Sequence, residues 1–325
     1  MFPRRTILAA SLSAPAILSP FGARAQDTYP NKAIRVVVGF AAGGSTDLNT
    51  RTMAPKLGQL LGQPVVVDNR PGAGGNLATE IVARANPDGY TLLMGTIAAL
   101  SVNPSLYRNL PFDPQTDVTP ISMAGNVLNV LVVPMDRPWR STADLIAAAR
   151  ARPETITYGS SGVGGAGHLS GALLDRLAGV KTIHVPYRGG GPLMTDLISG
   201  KLDFAFSTGP TALPQVEGGR LRMLAVPSAA RSPLLPDVPT VAESLPGFDV
   251  QNWNALVGPK NLPRAIVDRL NAAMRTTLQD PEVVHHLGRH GVEPLPSSPE
   301  DLARFIREET AKWAPILRDA GVSPD

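Results

Sequence analysis

The chain has no cysteine. That excludes disulfide scaffolds, zinc ribbons, iron–sulfur clusters and thiol catalysis. It has little net charge: 30 basic residues against 27 acidic ones, a formal +3. A dedicated nucleic-acid binder would carry a clustered basic excess, which is missing. No apolar run after the first 25 residues is long enough to span a bilayer. Several catalytic signatures are also absent. Gly39 to Gly44 has the G-x-x-x-x-G spacing of a P-loop, but Ser45 stands where lysine must reach the phosphates. No turn gives G-x-G-x-x-G between a strand and a helix with an acid about 20 residues on. Gly159-Ser160-Ser161-Gly162 lacks the G-x-S-x-G spacing of a nucleophile elbow. His286 and His290 have i, i+4 spacing, but no glutamate completes H-E-x-x-H and Gly288 weakens the helix. No catalytic residue, metal ligand or cofactor is therefore expected.

What is present begins with an address. Arg4 and Arg5 precede a short apolar stretch, Thr6 to Leu18, and Ala23-Arg24-Ala25 is a small-x-small cleavage site. Residues 1–25 thus read as a bacterial secretory leader, with the mature chain starting at Gln26. Arg4-Arg5-Thr6-Ile7-Leu8 fits a twin-arginine signal as well as an ordinary Sec signal with two adjacent arginines. Its length and Pro15 argue against a membrane anchor. The expected location is the periplasm, where NAD- and ATP-dependent chemistry is out of place. Arg4, Arg5 and Arg24 leave with the leader, which holds no acid, so the +3 falls to zero in the mature chain.

The mature chain has the length and the 43% hydrophobic content for sizeable cores. Ile34 to Phe40 is a valine-rich run, as in a parallel strand covered on both faces. Ser45-Thr46-Asp47 supplies capping residues for a helix that Gly62 stops. Strands at 65–67 and 90–95, with a helix at 76–85, give a β-α-β-α-β rhythm and a doubly wound α/β lobe. Val127 to Val133 reads as one long apolar strand. A second alternating set follows: helices at 142–151, 168–177 and 192–199, and strands at 155–159, 181–186, 202–207 and 221–226. After a proline-rich loop come a strand at 254–257 and helices at 264–278, 281–290 and 300–320. Residues 26–129 with 225–325 are assigned to one lobe, and 130–224 to the other.

Glycine (31) and proline (32) are abundant, though below the roughly 25–30% combined share that marks low-complexity chains. The glycines cluster in three turns: Gly39 to Asp47, Pro71 to Asn76, and Gly159 to His168. Glycine lets backbone N–H groups approach a ligand without a Cβ in the way. A helix N-terminus behind such a turn adds unpaired donors and a positive dipole end. Together they form an anion site that needs no lysine or arginine.

The candidate ligand-binding residues are Phe40, Ala41, Ala42, Gly43, Gly44, Ser45, Thr46 and Asp47 from the first turn, with Thr96. From the second set they are Ser160, Ser161, Gly162, Val163, Gly164, Gly165, His168, Tyr187, Arg188 and Asp203. Asp47 either receives an amino group or is an early-turn acid favoured by the helix dipole. Ser45 and Thr46 either bind a carboxylate or cap the helix. His168 either reaches the ligand or caps its own helix, and Arg188 either neutralises a carboxylate or is a solvated rim charge. Asp203 either accepts from a Ser or Thr in the cleft or is structural, and Phe40 and Trp253 either wall the cleft or pack in a core. A serine hydrolase using Ser160 or Ser161 with His168 or His184 is the enzyme alternative. A ligand sensor for a membrane signalling partner is a further one.

The first turn, Gly39-Phe40-Ala41-Ala42-Gly43-Gly44-Ser45-Thr46-Asp47, resembles the ligand loop of Bug-type substrate-binding proteins of the tripartite tricarboxylate transporter family. Asn69 to Asn76, Pro87-Asp88-Gly89-Tyr90-Thr91, Tyr158 to His168, His184 to Gly191, Leu221 to Val226 and Pro236 to Thr240 match in the same order. The resemblance covers essentially the whole mature chain. It implies a two-lobed α/β periplasmic-binding-protein fold, type II-like, in which each lobe is a mostly parallel sheet flanked by helices. A small carboxylate would sit in the cleft, held largely by backbone amides and water. Lobe closure would capture it, and a monomeric receptor would deliver it to the transporter's membrane subunits. One departure stands out: Gly39 and Ala42 occupy positions where the family's loop usually has proline. The resemblance therefore implies a less pre-organised loop here.

Overall fold

The computed structural model describes residues 29–187 and 189–319. The proposed leader, residues 1–25, lies outside the described residues. In lobe 1 the chain forms β1 (Ile34–Val38), α1 (Ser45–Leu61), β2 (Val65–Asn69), α2 (Asn76–Ala83) and β3 (Thr91–Thr96). A π-helical turn, Ala98–Val102, then leads into α3 (Asn103–Leu106) and β4 (Val118–Val127). Lobe 2 holds β5 (Asn129–Pro134), α4 (Thr142–Ala151), β6 (Thr157–Ser160), α5 (Ala166–Ala178), β7 (Ile183–Pro186), α6 (Gly190–Ile198), β8 (Phe204–Thr208), α7 (Gly209–Glu217) and β9 (Leu221–Ala225). The chain returns to lobe 1 as β10 (Trp253–Pro259), α8 (Arg264–Gln279), α9 (Pro281–Arg289), β11 (Val292–Pro294) and α10 (Pro299–Asp319).

The two sheets share one plan. Their strand orders are β2-β1-β3-β10-β4-β11 and β7-β6-β8-β5-β9. Each lobe places its second, first and third strands side by side, then a strand that has crossed from the other lobe, then its fourth. The first three pair in parallel. The crossing strands β10 and β5 are antiparallel to both neighbours. The sheets are thus mixed rather than mostly parallel, and the pairings give the reason. Asn254 at the start of β10 meets Thr96 at the end of β3, and Asn129 at the start of β5 meets Thr208 at the end of β8. A strand entering from that edge must run against its neighbours.

The crossovers explain why the single strand expected over 127–133 is two. It breaks at Leu128, whose N–H donates to Gly291 of lobe 1 and whose carbonyl accepts from Gly209 of lobe 2, both at 2.7 Å. The second crossover lies beside the first. Val127 donates to the Asn252 carbonyl, while Asn252 donates from its backbone to Asn126 Oδ1 and from its side chain to Asn129 Oδ1. The stretch between β9 and β10, assigned from sequence to lobe 1, stays on lobe 2, where Val250 bonds back to Pro227 and Phe248 stacks on Phe206.

Three apolar clusters hold these layers. One packs α1, α8 and α9 on a face of sheet 1, and another packs α6 and α7 on sheet 2. The third is continuous between lobes, from Val37 and Leu93 to Leu131, Leu169 and Phe206. The amphipathic helix α10 lies across both lobes, against α3 and β4 on one side and α5 on the other. Its Glu309 is buried, and the carboxylate accepts from the indole N–H groups of Trp253 (3.3 Å) and Trp313 (2.9 Å). Trp253 is fully buried there, so it is a core residue and not a wall of the cleft.

Candidate functional site

Parallel α/β sheets present their ligand edge at the C-terminal ends of the strands. Here β1 and β6 both end there in a glycine-rich loop, and both loops start a helix in the same way. Gly43 has φ 81° and Gly164 has φ 77°, the left-handed conformation that glycine adopts without strain. The next glycine is the N-cap in each case: Gly44 at φ −73°, ψ 163° and Gly165 at φ −74°, ψ 163°. Neither cap has a side-chain bond to the helix. The expected capping by Ser45 or Thr46 is not what forms, because α1 already begins at Ser45. Among the described residues, the N–H groups of Ser45, Thr46 and Asp47, and of Ala166, Gly167 and His168, have no acceptor. By contrast α4, which starts at the opposite edge of sheet 2, is closed by a full Ser141–Asp144 capping box. At α1 and α5 the first donors are thus left open on the ligand edge, whereas at α4 a side chain closes them.

Lobe 1's loop is braced from beneath. Asp47 is 1% exposed and its carboxylate is fully subscribed. Oδ2 accepts from Gly43 N (2.8 Å), Oδ1 from Asn69 Nδ2 (2.9 Å), and both from Arg51 Nε. Asn69 also holds the Phe40 carbonyl at 3.0 Å. Burial alone would raise the Asp47 carboxyl, but the bonds from Arg51, Gly43 and Asn69 outweigh it and hold it below the usual range. Asp47 therefore braces the loop. At Gly39, a Cβ would come 2.7 Å from the Gly75 Cα. The loop thus lies closer to the neighbouring glycine turn than a prolyl ring would permit.

Lobe 2's loop is braced by imidazoles. Gly164 N donates to His168 Nδ1 at 3.1 Å, so the ring is neutral with its proton on Nε2. His168 stacks on His184 at 4.0 Å, with the rings 9° from parallel. His184 Nε2 lies 2.7 Å from Ser160 Oγ, which also bonds the Gly162 carbonyl at 3.0 Å. Ser160 is 1% exposed, so its hydroxyl ties down the loop and is not an accessible nucleophile. Burial pushes His168 down to about 4. Burial, and secondarily His168, push His184 down to about 3.

The two loops meet around one place. Phe40, half-buried, packs its ring beside Gly75 of the second turn. Asn103 donates to the Gly74 carbonyl (3.3 Å) and to Asn76 Oδ1 (2.6 Å). Asn103 Oδ1, Val102 and Leu106 in turn face Gly164 of lobe 2. Ala41, Ala42, Gly43 and Ser161 are exposed, and Gly44, Ser45, Gly162, Val163 and Gly165 are partly so. Thr46 and Thr96 are buried at the same edge, where Thr96 Oγ accepts from Ala99 N at 3.4 Å. Tyr187 is half-buried, with its hydroxyl donated to Asp196. Arg188 lies outside the described residues.

Asp203 takes the structural alternative. It precedes β8, at the far edge of sheet 2, and accepts from Thr157 N (2.8 Å) and Thr157 Oγ (3.0 Å). It fastens the start of β6 and does not reach the loops. Asn69, Asn103 and His184 are the residues to add. Asn69 and His184 lay inside recognised motifs, whereas Asn103 carried no signal beyond its place after β3. An open groove of about 700 Å³ between β2 and α1 shares only Arg51 with this site.

Residues 50–322 match the family model of the tripartite tricarboxylate transporter family receptor. The chain belongs to that family. It is 37% identical to protein BugT of Bordetella pertussis over 91% of each chain. Rpa4515 of Rhodopseudomonas palustris, solved with adipate, is similar at 37% identity and TM-score 0.82, over 91% of this chain and 100% of that one. MatC of the same organism, solved with bound malate, is 31% identical with TM-score 0.78, over 89% and 100%. Family members are solute-binding receptors and not enzymes, which retires the hydrolase alternative. Among the described residues no helix is long and apolar enough to cross a membrane, and no cluster of side chains could hold a metal.

Two outcomes follow from the braces. Asp47→Ala should cost about 1–3 kcal/mol in urea unfolding and weaken amine-bearing and simple diacid ligands by the same factor. Selective loss of the amine-bearing ligands would contradict the brace. Both imidazoles are neutral when folded but titrate near 6.5 when unfolded. The unfolded chain therefore binds more protons in acid, so their stabilisation is complete above 6.5 and lost as pH falls toward about 4 and then 3. The melting temperature of His184→Asn should fall less than that of the wild type between pH 6.5 and 4. Equal slopes would contradict the assignment.

Proposed function

We propose that this receptor captures a small dicarboxylate between its lobes and hands it to the membrane subunits of a tripartite tricarboxylate transporter. The observation that carries the reading is the pair of open helix starts, one per lobe, gathered at one cleft. Each can take a carboxylate through backbone amides. A charge-assisted hydrogen bond contributes roughly 1.5–3 kcal/mol and a helix N-terminus up to about 2. Three contacts per lobe could offset ordering costs and leave the roughly 8 kcal/mol of micromolar binding.

A diacid is favoured over an amino acid because Asp47, the acid nearest the first loop's donors, has no acceptor site left for an ammonium group. Adipate and malate in the solved relatives are both diacids, which supports the same class. We place the mature protein in the periplasm as a monomer, exported by the leader in residues 1–25, and infer capture by lobe closure about the paired crossovers.

Calorimetry and thermal shift against adipate, malate, citrate, amino acids and matched monoacids test this. A diacid should bind at micromolar concentration, and its matched monoacid about 10- to 100-fold more weakly. If no carboxylate binds better than millimolar, the reading is wrong.

A further inference from the structure

The third residues of α1 and α5 do the same job with different chemistry. Asp47 turns back four residues to accept Gly43 N at 2.8 Å, and His168 turns back four residues to accept Gly164 N at 3.1 Å. The glycines they hold have matching left-handed conformations, and the N-caps that follow agree within a degree. Both acceptors are buried, at 1% and 3% exposure. Nothing in a glycine–glycine sequence selects one conformation from the many open to it. The bond from the third helical residue supplies the selection, and the first three helical N–H groups stay free.

We infer that Asp47 and His168 are matched positioning residues, which set the two amide cradles, and that His168 makes only the lobe 2 cradle sensitive to acid. This rests on the reading of the cleft as a carboxylate site and specifies how that site is held.

The chemistry of the two acceptors separates the lobes. A carboxylate paired with Arg51 and Asn69 keeps its lone pairs down to low pH. An imidazole keeps its lone pair only while neutral. Protonated, His168 would present Nδ1–H to Gly164 N–H, and a brace would become a clash of donors. The titratable groups recorded against His168 are His184 of β7, stacked on it, and Tyr158 of β6, whose hydroxyl reaches the His168 carbonyl at 3.4 Å. On the lobe 1 side, Gly164 meets Val102, Leu106 and Asn103, which carry no charge. Among the described residues, no carboxylate bonds His168 to stabilise its charged form.

Three measurements decide it. Long-range 15N–1H NMR of the ligand-free wild type should show His168 with a bare Nδ1 and a protonated Nε2 at neutral pH. A proton on Nδ1 would overturn the inference. Adipate titration of His168→Leu, which has no acceptor, should show at least about tenfold weaker binding. His168→Asn, whose amide oxygen can accept from Gly164, should recover most of that loss. Equal affinity for Leu and Asn variants would overturn it. Finally, the ratio of wild-type to His168→Asn dissociation constants cancels the ligand's own titration. It should rise about twofold by pH 4 and about fourfold by pH 3.5, given a ring that titrates at about 4. A flat ratio in folded protein would overturn it. If the leucine variant does not fold, the NMR and ratio measurements still decide. If the wild type binds no carboxylate, the proposed function fails, while the NMR result still tests the brace.

Discussion

A helix that begins without a side-chain cap leaves N–H donors that need an acceptor. Most of this site depends on that constraint. At the starts of α1 and α5 six such donors, among the described residues, are held open. Holding them open requires a left-handed glycine, an extended glycine after it, and a buried acceptor that locks the pair. It also requires that neighbouring backbone come close, which is why Gly39 lies against Gly75 where no side chain would fit. A chain of formal charge only +3 can capture anions this way, because the attraction is made locally by aligned peptides and not by a basic surface.

The fold makes two such half-sites converge. Each lobe sends its first strand and loop to the same edge of its sheet, and each receives its crossing strand from that edge. The crossovers therefore lie side by side beneath the cleft, where Leu128 bonds to one lobe on each side and Asn252 ties Asn126 to Asn129. Glu309 and the two indoles it joins anchor the returning strand to α10, which spans both lobes.

Much of this was legible in the sequence, because strand–turn–helix order and glycine clusters are local signals. The helix at Thr142–Ala151 was placed to the residue, since Ser141 and Asp144 form a cap that any reader of sequence can see. The elements that escaped contain breakers. β4 includes Pro120 and Gly125, and α7 opens on Gly209-Pro210 with Pro214 inside. The roles that escaped depend on distant partners. Asp47 looked available because nothing near it in sequence shows that Asn69, 22 residues on, would claim Oδ1. Ser160 remained in the enzyme alternative until His184 and Gly162 accounted for its hydroxyl. Asp203 stayed open between cleft and structural roles because sequence does not say which end of a strand faces the cleft. The antiparallel strands were invisible for a related reason: they follow from where the chain crosses, not from composition.

The central claim is that backbone amides of both first helices hold the ligand's two carboxylates. A crystal structure of the receptor with bound adipate tests it most directly. The account predicts carboxylate oxygens within hydrogen-bond reach, directly or through one water, of the amides at residues 45–47 in lobe 1 and 166–168 in lobe 2. A ligand held by side chains elsewhere, with both sets of amides still facing bulk solvent, would contradict it.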